Sequence, residues 1–286
     1  MKTGLVLEGG ALRGLFSAGV MDVLMEHGIV FDGVVGVSAG AAFGCNYKSG
    51  QPGRAIRYNR RFARDWRYCS VRSLLTTGDL YGAEYAYHYV PDHEDLFDKE
   101  AFQQSATAFY VVCTDVMTGQ PVYKRLDRVD DDCYEWIRAS ASMPLASRVV
   151  TVEGRRLLDG GVSDSIPLRF FQQEGYGRNV VVLTQPAGYV KRQNNLLPLI
   201  RLALRRYPAF IDAMRRRPEM YNGQLRFVAD EERRGTAFVI RPPFDIPIGY
   251  TSHDPDAMQR VYDMGRDEAQ RCLTRLEQFL IESSTK

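Results

Sequence analysis

The pentapeptide Gly36-Val37-Ser38-Ala39-Gly40 and the tripeptide Asp159-Gly160-Gly161, about 120 residues further on, carry the groups that acyl transfer uses. A serine on a sharp strand-to-helix turn holds its hydroxyl clear of the backbone, where it can attack a carbonyl carbon. Before it, Gly33-Val34-Val35-Gly36-Val37 has the β-branched content and length of a buried strand. After it, Ala39-Gly40-Ala41-Ala42-Phe43 supplies small residues that let a helix start hard against that strand. Gly36 and Gly40 remove Cβ atoms for which so tight a turn has no room. Ser38 is the candidate nucleophile; an ordinary Gly-rich loop is the alternative that the pattern alone leaves open.

A second glycine cluster, Glu8-Gly9-Gly10-Ala11-Leu12-Arg13-Gly14, follows a strand-like stretch at 3–7 and precedes apolar residues at helical spacing. Amides freed by a Gly turn at a helix start make an anion cradle, for a phosphate or for the oxyanion of an acyl-transfer intermediate. The dinucleotide fingerprint needs Gly-x-Gly-x-x-Gly, but Ala11 stands at its middle glycine, and Asp32 precedes the next strand instead of ending it. An oxyanion hole is the better reading.

The proton acceptor must come from few residues. Of four histidines, His27 stands at a helix end, His88 and His93 fall in an expected surface loop, and His253 stands between Ser252 and Asp254 in a helix-capping context. His253 alone fits the chain order Ser, Asp, His. Asp159 is the stronger candidate, because it ends the apolar pair Leu157-Leu158 and two glycines follow it. A solvated aspartate, with a pKa near ~3.9, is a poor base for a serine hydroxyl. The site must therefore bury Asp159 partly and hydrogen-bond it to the serine. A plain β-turn aspartate is the alternative.

These segments, together with Ala139-Ser140-Ala141-Ser142-Met143-Pro144, occur in an order and at distances that resemble a bacterial patatin-like phospholipase. The resemblance covers about residues 1–185. It implies a Ser-Asp dyad without histidine, Ser38 as nucleophile and Asp159 as base, with the amides around Gly9, Gly10 and Ala11 as oxyanion hole. Arg13, Gly14, Gly36, Gly40, Gly160 and Gly161 fill supporting motif positions. Where the family loop carries glycine, Ala11 keeps its N–H, but its methyl disfavours positive φ. Arg13 either fixes the loop, meets a phosphate or forms a structural salt bridge. No metal or organic cofactor is required.

The elements that must position these groups alternate along the chain, with strands expected at 3–7, 30–37, 108–114, 121–124, 148–152, 179–184 and 236–240 and helices between most of them. Such alternation predicts an α/β three-layer sandwich with a mostly parallel central sheet and a helical C-terminal extension. The 286 residues divide into an acyl hydrolase domain at 1–185 and an extension at 186–286 packed on the same core. A net charge of +2 gives no reason to expect nucleic acid. Five unpatterned cysteines suggest reduced thiols in a cytoplasm, and with a strand starting at Thr3 no signal peptide is expected.

Three other regions carry a choice. The aromatics at 58–89 read first as ordinary packing, with the roof of an acyl pocket as the alternative. His88, Asp92, His93, Glu94 and Asp95 read as a solvated acidic loop, since no metal-ligand pattern is present. The basic stretch 191–217, broken at Pro208, reads as helices packed on their own domain, with peripheral contact to an anionic membrane surface as the alternative. The expected function is a cytoplasmic serine acyl hydrolase of a lipid ester, phospholipid or lysophospholipid. A non-catalytic acyl-lipid sensor or adaptor keeping the fold is second.

Overall fold

In the computed structural model, which describes residues 1–281, one mixed sheet carries helices on both faces. Strand β1 (Lys2–Leu7) leads through a 3-10 turn (Ala11–Arg13) into helix α1 (Gly14–Glu26), and β2 (Gly33–Val37) leads into α2 (Ala39–Lys48). Then come α3 (Arg54–Arg61), α4 (Val71–Thr77), a π-helical segment (Ala83–Glu94), α5 (Lys99–Gln104) and β3 (Ala108–Asp115). Strand β4 (Pro121–Arg125), helix α6 (Asp131–Ser140), strands β5 (Val150–Val152) and β6 (Arg155–Asp159), helix α7 (Leu168–Gln173) and β7 (Tyr176–Val182) follow. Helices α8 (Leu197–Ala203) and α9 (Pro208–Arg233), strand β8 (Ala237–Ile240) and helix α10 (Pro255–Ile281) come last among the described residues.

The strand order is β5-β6-β3-β2-β1-β7-β8, with β4 on the second edge of β3. Neighbours from β3 to β8 along this path are parallel, whereas β4, β5 and β6 pair antiparallel. Every residue of β2 is buried, as a strand covered on both faces requires. Pleating sends Leu5, Leu7 and Val34 to one face, where α1, α2 and α10 supply partners. It sends Val6, Val35 and Val37 to the other, against Phe171, Tyr221 and Val228. This is the three-layer sandwich expected. No described helix is long and apolar enough to cross a membrane.

Two local expectations are corrected. The strand expected at 148–152 is one arm of a hairpin, turned at Glu153 and Gly154, whose φ of 46° and 73° suit a two-residue hairpin turn. Its second arm, β6, begins with two exposed arginines that hid its strand character. The region around His88 is not a surface loop: it winds as a π-helix, ending where the Asp95 N–H donates to the Val90 carbonyl. Its acids are engaged singly, with Asp95 buried against Arg54 and Arg57, Glu94 on Arg61, and Asp92 on Lys99 and the Tyr134 hydroxyl.

Helix α10 crosses α1 so closely that a Cβ on Gly265 would fall 2.0 Å from the Phe16 carbonyl oxygen, and one on Gly19 2.1 Å from that of Tyr262. The Tyr262 hydroxyl donates to the Asp22 carboxylate at 2.6 Å across the same contact. Gly265→Ala forces the helices apart and is expected to cost about 1–3 kcal/mol, read as a lowered Tm in thermal denaturation.

Candidate active site

Ser38 ends the buried β2 strand at φ 55° and ψ −120°, a strained conformation for a residue with a side chain. Surrounding contacts hold it there. The Ser38 N–H donates to Ser140 Oγ at 3.0 Å, and that hydroxyl donates to the Val112 carbonyl at 2.6 Å. The Ser38 carbonyl accepts the first amides of α2, from Ala41 and Ala42. A Cβ on Gly36 would lie 2.3 Å from the Gly40 carbonyl oxygen, and one on Gly40 2.4 Å from that of Leu7. The two motif glycines thus allow a backbone approach that any side chain would block.

Asp159 arrives from the opposite direction. Residues 110–112 of β3 pair with β2 and β4 together, and residues 113 and 114 pair with β6 and β4 together. Strands β2 and β6 therefore share the edge of β3 that β4 leaves open. Val37 is opposite Val112 and Asp159 opposite Cys113, so the two strands end head to head. The Asp159 N–H donates to the Ser142 carbonyl at 2.8 Å, and its Oδ1 accepts from the Gly161 N–H at 2.8 Å. A Cβ on Gly160 would lie 2.0 Å from the Val112 carbonyl oxygen, so the turn presses onto β3 as well.

Burial raises the Asp159 pKa above its ordinary value; Arg217, the Ser38 side chain, the Gly161 amide and Lys191 act in the opposite sense. The carboxylate is thereby a stronger base than its solvated counterpart, and it lines the same cleft as Ser38.

The first Gly-rich loop completes the constellation. A Cβ on Gly9 would lie 2.9 Å from Ser38 Cβ, so the loop is in contact with the elbow. Ala11 adopts φ 48° despite its methyl group, which corrects the expectation that alanine would avoid this region. Among the described residues, the amides of Gly9, Gly10 and Ala11 donate to no protein acceptor. The buried Glu8 fixes the loop's start by accepting from the Thr184 N–H at 2.6 Å and from the Tyr221 hydroxyl of α9. Gly14 sets the first turn of α1 against Ala39 and Phe43. Arg13 makes none of the salt bridges seen among the described residues; it stacks 5.0 Å from the Tyr250 ring, and its buried Nε has no partner.

Two cavities meet at Ser38. One, of about 110 Å³, is apolar and lined by Phe43, Tyr58, Tyr68, Tyr81 and Tyr87, so the aromatic stretch that reads as plain packing also walls a chamber beside the hydroxyl. The other, of about 510 Å³, holds Asp159, the Gly-rich loop, Arg13, Lys191 and Arg217. None of the four histidines lines either cavity. The Nδ1–H of His253 donates to the Ala63 carbonyl at 2.6 Å, His88 pairs with Glu135, and His93 lies on the Tyr89 ring.

Residues 5–171 match the model of the family described as patatin-like phospholipase. The chain belongs to this family. Residues 207–281 match a domain of unknown function, DUF6363. The uncharacterized protein YjjU of Escherichia coli (strain K12) is 31% identical over 194 residues, covering 65% of this chain and 53% of that protein. The lysophospholipase NTE1 of Debaryomyces hansenii is 27% identical over 300 residues, covering 97% of this chain and 18% of that protein. The chain thus spans about half of the first relative and a smaller part of the second. The crystal structure of VipD from Legionella pneumophila shares the fold at a TM-score of 0.50 and 13% identity, covering 96% of this chain and 67% of that one.

The segment around Ser140 has a place in the motif but no task visible in the sequence. Its task is local: Ser140 braces the Ser38 amide, and the Ser142 carbonyl braces that of Asp159. Nothing local in the sequence marks Glu8, Thr184 and Tyr221, since their partners lie as much as 213 residues away. Ser140→Ala leaves a buried N–H and a buried carbonyl without this hydroxyl, so a stability loss of about 1–3 kcal/mol is expected in denaturant unfolding, with a lower kcat. Ala11→Gly relieves the strained φ and is expected to raise stability by about 1 kcal/mol in the same measurement.

Proposed function

We propose that the chain is a serine acyl hydrolase of lipid esters, phospholipid or lysophospholipid, working through Ser38 and Asp159. The observation that carries this reading is that β2 and β6 end head to head and bring Ser38 and the buried Asp159 to one cleft, where an aromatic chamber adjoins a loop of unpaired amides. The name lysophospholipase borne by relatives supports the substrate class.

Ser38 Oγ attacks the acyl carbonyl carbon as its proton passes to the Asp159 carboxylate. The amides of Gly9, Gly10 and Ala11 receive the oxyanion. Collapse breaks the bond to the alcohol oxygen, and Asp159 returns the proton to that leaving group. Asp159 then takes a proton from water, which attacks the acyl-serine; a second collapse frees the fatty acid and restores the Ser38 hydroxyl. The acyl chain occupies the aromatic chamber. Residues 1–185 form the hydrolase unit, and 186–281 extend its core and wall the cleft, the last five residues of the expected extension lying outside the described residues.

The five cysteines are free and buried, in keeping with a reducing cytoplasm. Leu199 and Leu202 of α8 are more than half exposed, while the neighbouring Leu196 and Ile200 line the cleft. With Arg201, Arg205 and Arg206 alongside, this end of the molecule suits peripheral contact with an anionic membrane surface.

Fatty-acid release from a lysophospholipid is expected to fall by about three orders of magnitude or more in Ser38→Ala and in Asp159→Asn. Wild-type kcat/KM is expected to decline with acid through a pKa above ~3.9, because Asp159 must be ionised to act. The raised native pKa has a stability consequence of definite sign. The native carboxyl holds its proton more firmly than the unfolded one, so stability present below the unfolded pKa is lost as pH rises through the native pKa. At neutral pH, Asp159→Asn is therefore expected to raise Tm while abolishing hydrolysis. Equal activity in either variant would refute the dyad.

A further inference from the structure

The cleft beyond Ser38 holds cations that its carboxylates do not pair. Arg13, Lys191 and Arg217 line it together with Asp159 and Glu8. Among the described residues, none of the three cations has a carboxylate oxygen within ion-pair distance, and the buried Arg13 Nε has no partner at all. Arg217 reaches in from α9 and donates Nε–H to the Gly161 carbonyl at 2.5 Å, next to the Asp159 turn. Lys191 is fastened to the same helix: its N–H donates to Asn222 Oδ1 at 2.8 Å, and Asn222 Nδ2 donates to its carbonyl at 3.0 Å. Its ammonium lies 4.7 Å from the Tyr221 ring.

We propose that Lys191 and Arg217, with Arg13, form a subsite for the phosphate of an anionic lipid head group, so that phosphomonoester lipids are preferred to neutral or zwitterionic ones. The proposal rests on the hydrolase reading only for its lipid; the anion subsite itself does not require it. Three cations in one cleft, against two carboxyls whose burial opposes ionisation, suit an anion better than a quaternary ammonium, which would add to the positive charge. Burial, together with repulsion from Arg217 and Arg13 against the pull of Glu8 and Asp159, lowers the Lys191 pKa to about 8. A phosphate there would relieve that repulsion. Lys191 and Arg217 lie outside the 5–171 patatin match, and Arg217 falls within the 207–281 stretch of unknown function, which thereby gains a role in substrate choice.

The test uses the full chain carrying Ser38→Ala, so that nothing turns over, and calorimetric titration with sn-glycerol 3-phosphate, glycerol and inorganic phosphate. The expected result is binding of glycerol 3-phosphate but not glycerol, weakened about tenfold or more by Lys191→Met and largely restored by Lys191→Arg. In the active enzyme, the kcat/KM ratio of oleoyl lysophosphatidate to monooleoylglycerol is expected to fall about tenfold in Lys191→Met. Absence of glycerol 3-phosphate binding overturns the subsite. Inorganic phosphate bound as tightly, with an unchanged substrate ratio, assigns the cleft to free phosphate and overturns the head-group assignment. Glycerol 3-phosphate binding without any ester hydrolysis by the Ser38 enzyme would leave the subsite standing and remove the hydrolase reading instead.

Discussion

One edge of strand β3 receives two strands from opposite directions, and the meeting of Ser38 with Asp159 is set where they end. Val37 is held opposite Val112 and Asp159 opposite Cys113, so hydrogen-bond register along a single buried strand determines how far apart the two side chains stand. Register in a sheet buried on both faces is rigidly specified, because a slip of one residue would move every side chain to the wrong layer. The α6 end then ties both strand ends to one segment, through the Ser140 hydroxyl and the Ser142 carbonyl.

This site concentrates conformations that cost stability. Ser38 and Ala11 both take positive φ with a side chain, and Asp159 and Glu8 are carboxyls whose burial opposes ionisation. The packed sheet around them tolerates the strain. Leu5, Val6, Val34, Val35 and Val37 are fully buried on the strands that carry the elbow and the loop. Such an arrangement is expected where a hydroxyl and a base must be presented rigidly rather than assembled by motion.

Much of the fold, and the turns that carry Ser38 and Asp159, was legible in the sequence because each rests on a local pattern. The strand-Gly-x-Ser-x-Gly-helix run contains its own geometric reason, and Asp159 announces its turn through two glycines. What stayed hidden depended on distant pairing. The β6 strand has no place among the expected strands, because Arg155 and Arg156 leave only a short apolar stretch before Asp159 until the antiparallel partnership with β3 is known, and Glu8 gains its role only when α9 brings Tyr221 to it. The π-helix at Ala83–Glu94 was equally opaque, since Pro91 argues against a helix and nothing in the spacing signals an i−5 bond. Ala11 misled for a physical reason: local propensity disfavours its φ, and the surrounding loop overrides that preference.

Two cavities flank the point where the strand ends meet. An aromatic chamber and a basic cleft open on the same hydroxyl, the first walled by residues up to Met143 and the second partly by α9. The two surfaces are therefore built from largely separate parts of the chain. The central claim is that Ser38 is a nucleophile activated by Asp159, and covalent capture tests it most directly. Incubation with a fluorophosphonate followed by peptide mass spectrometry is predicted to place one adduct on Ser38 in the wild type and to find its formation strongly slowed in folded Asp159→Asn. An adduct on another residue, or labelling of Asp159→Asn at the wild-type rate, would contradict the account.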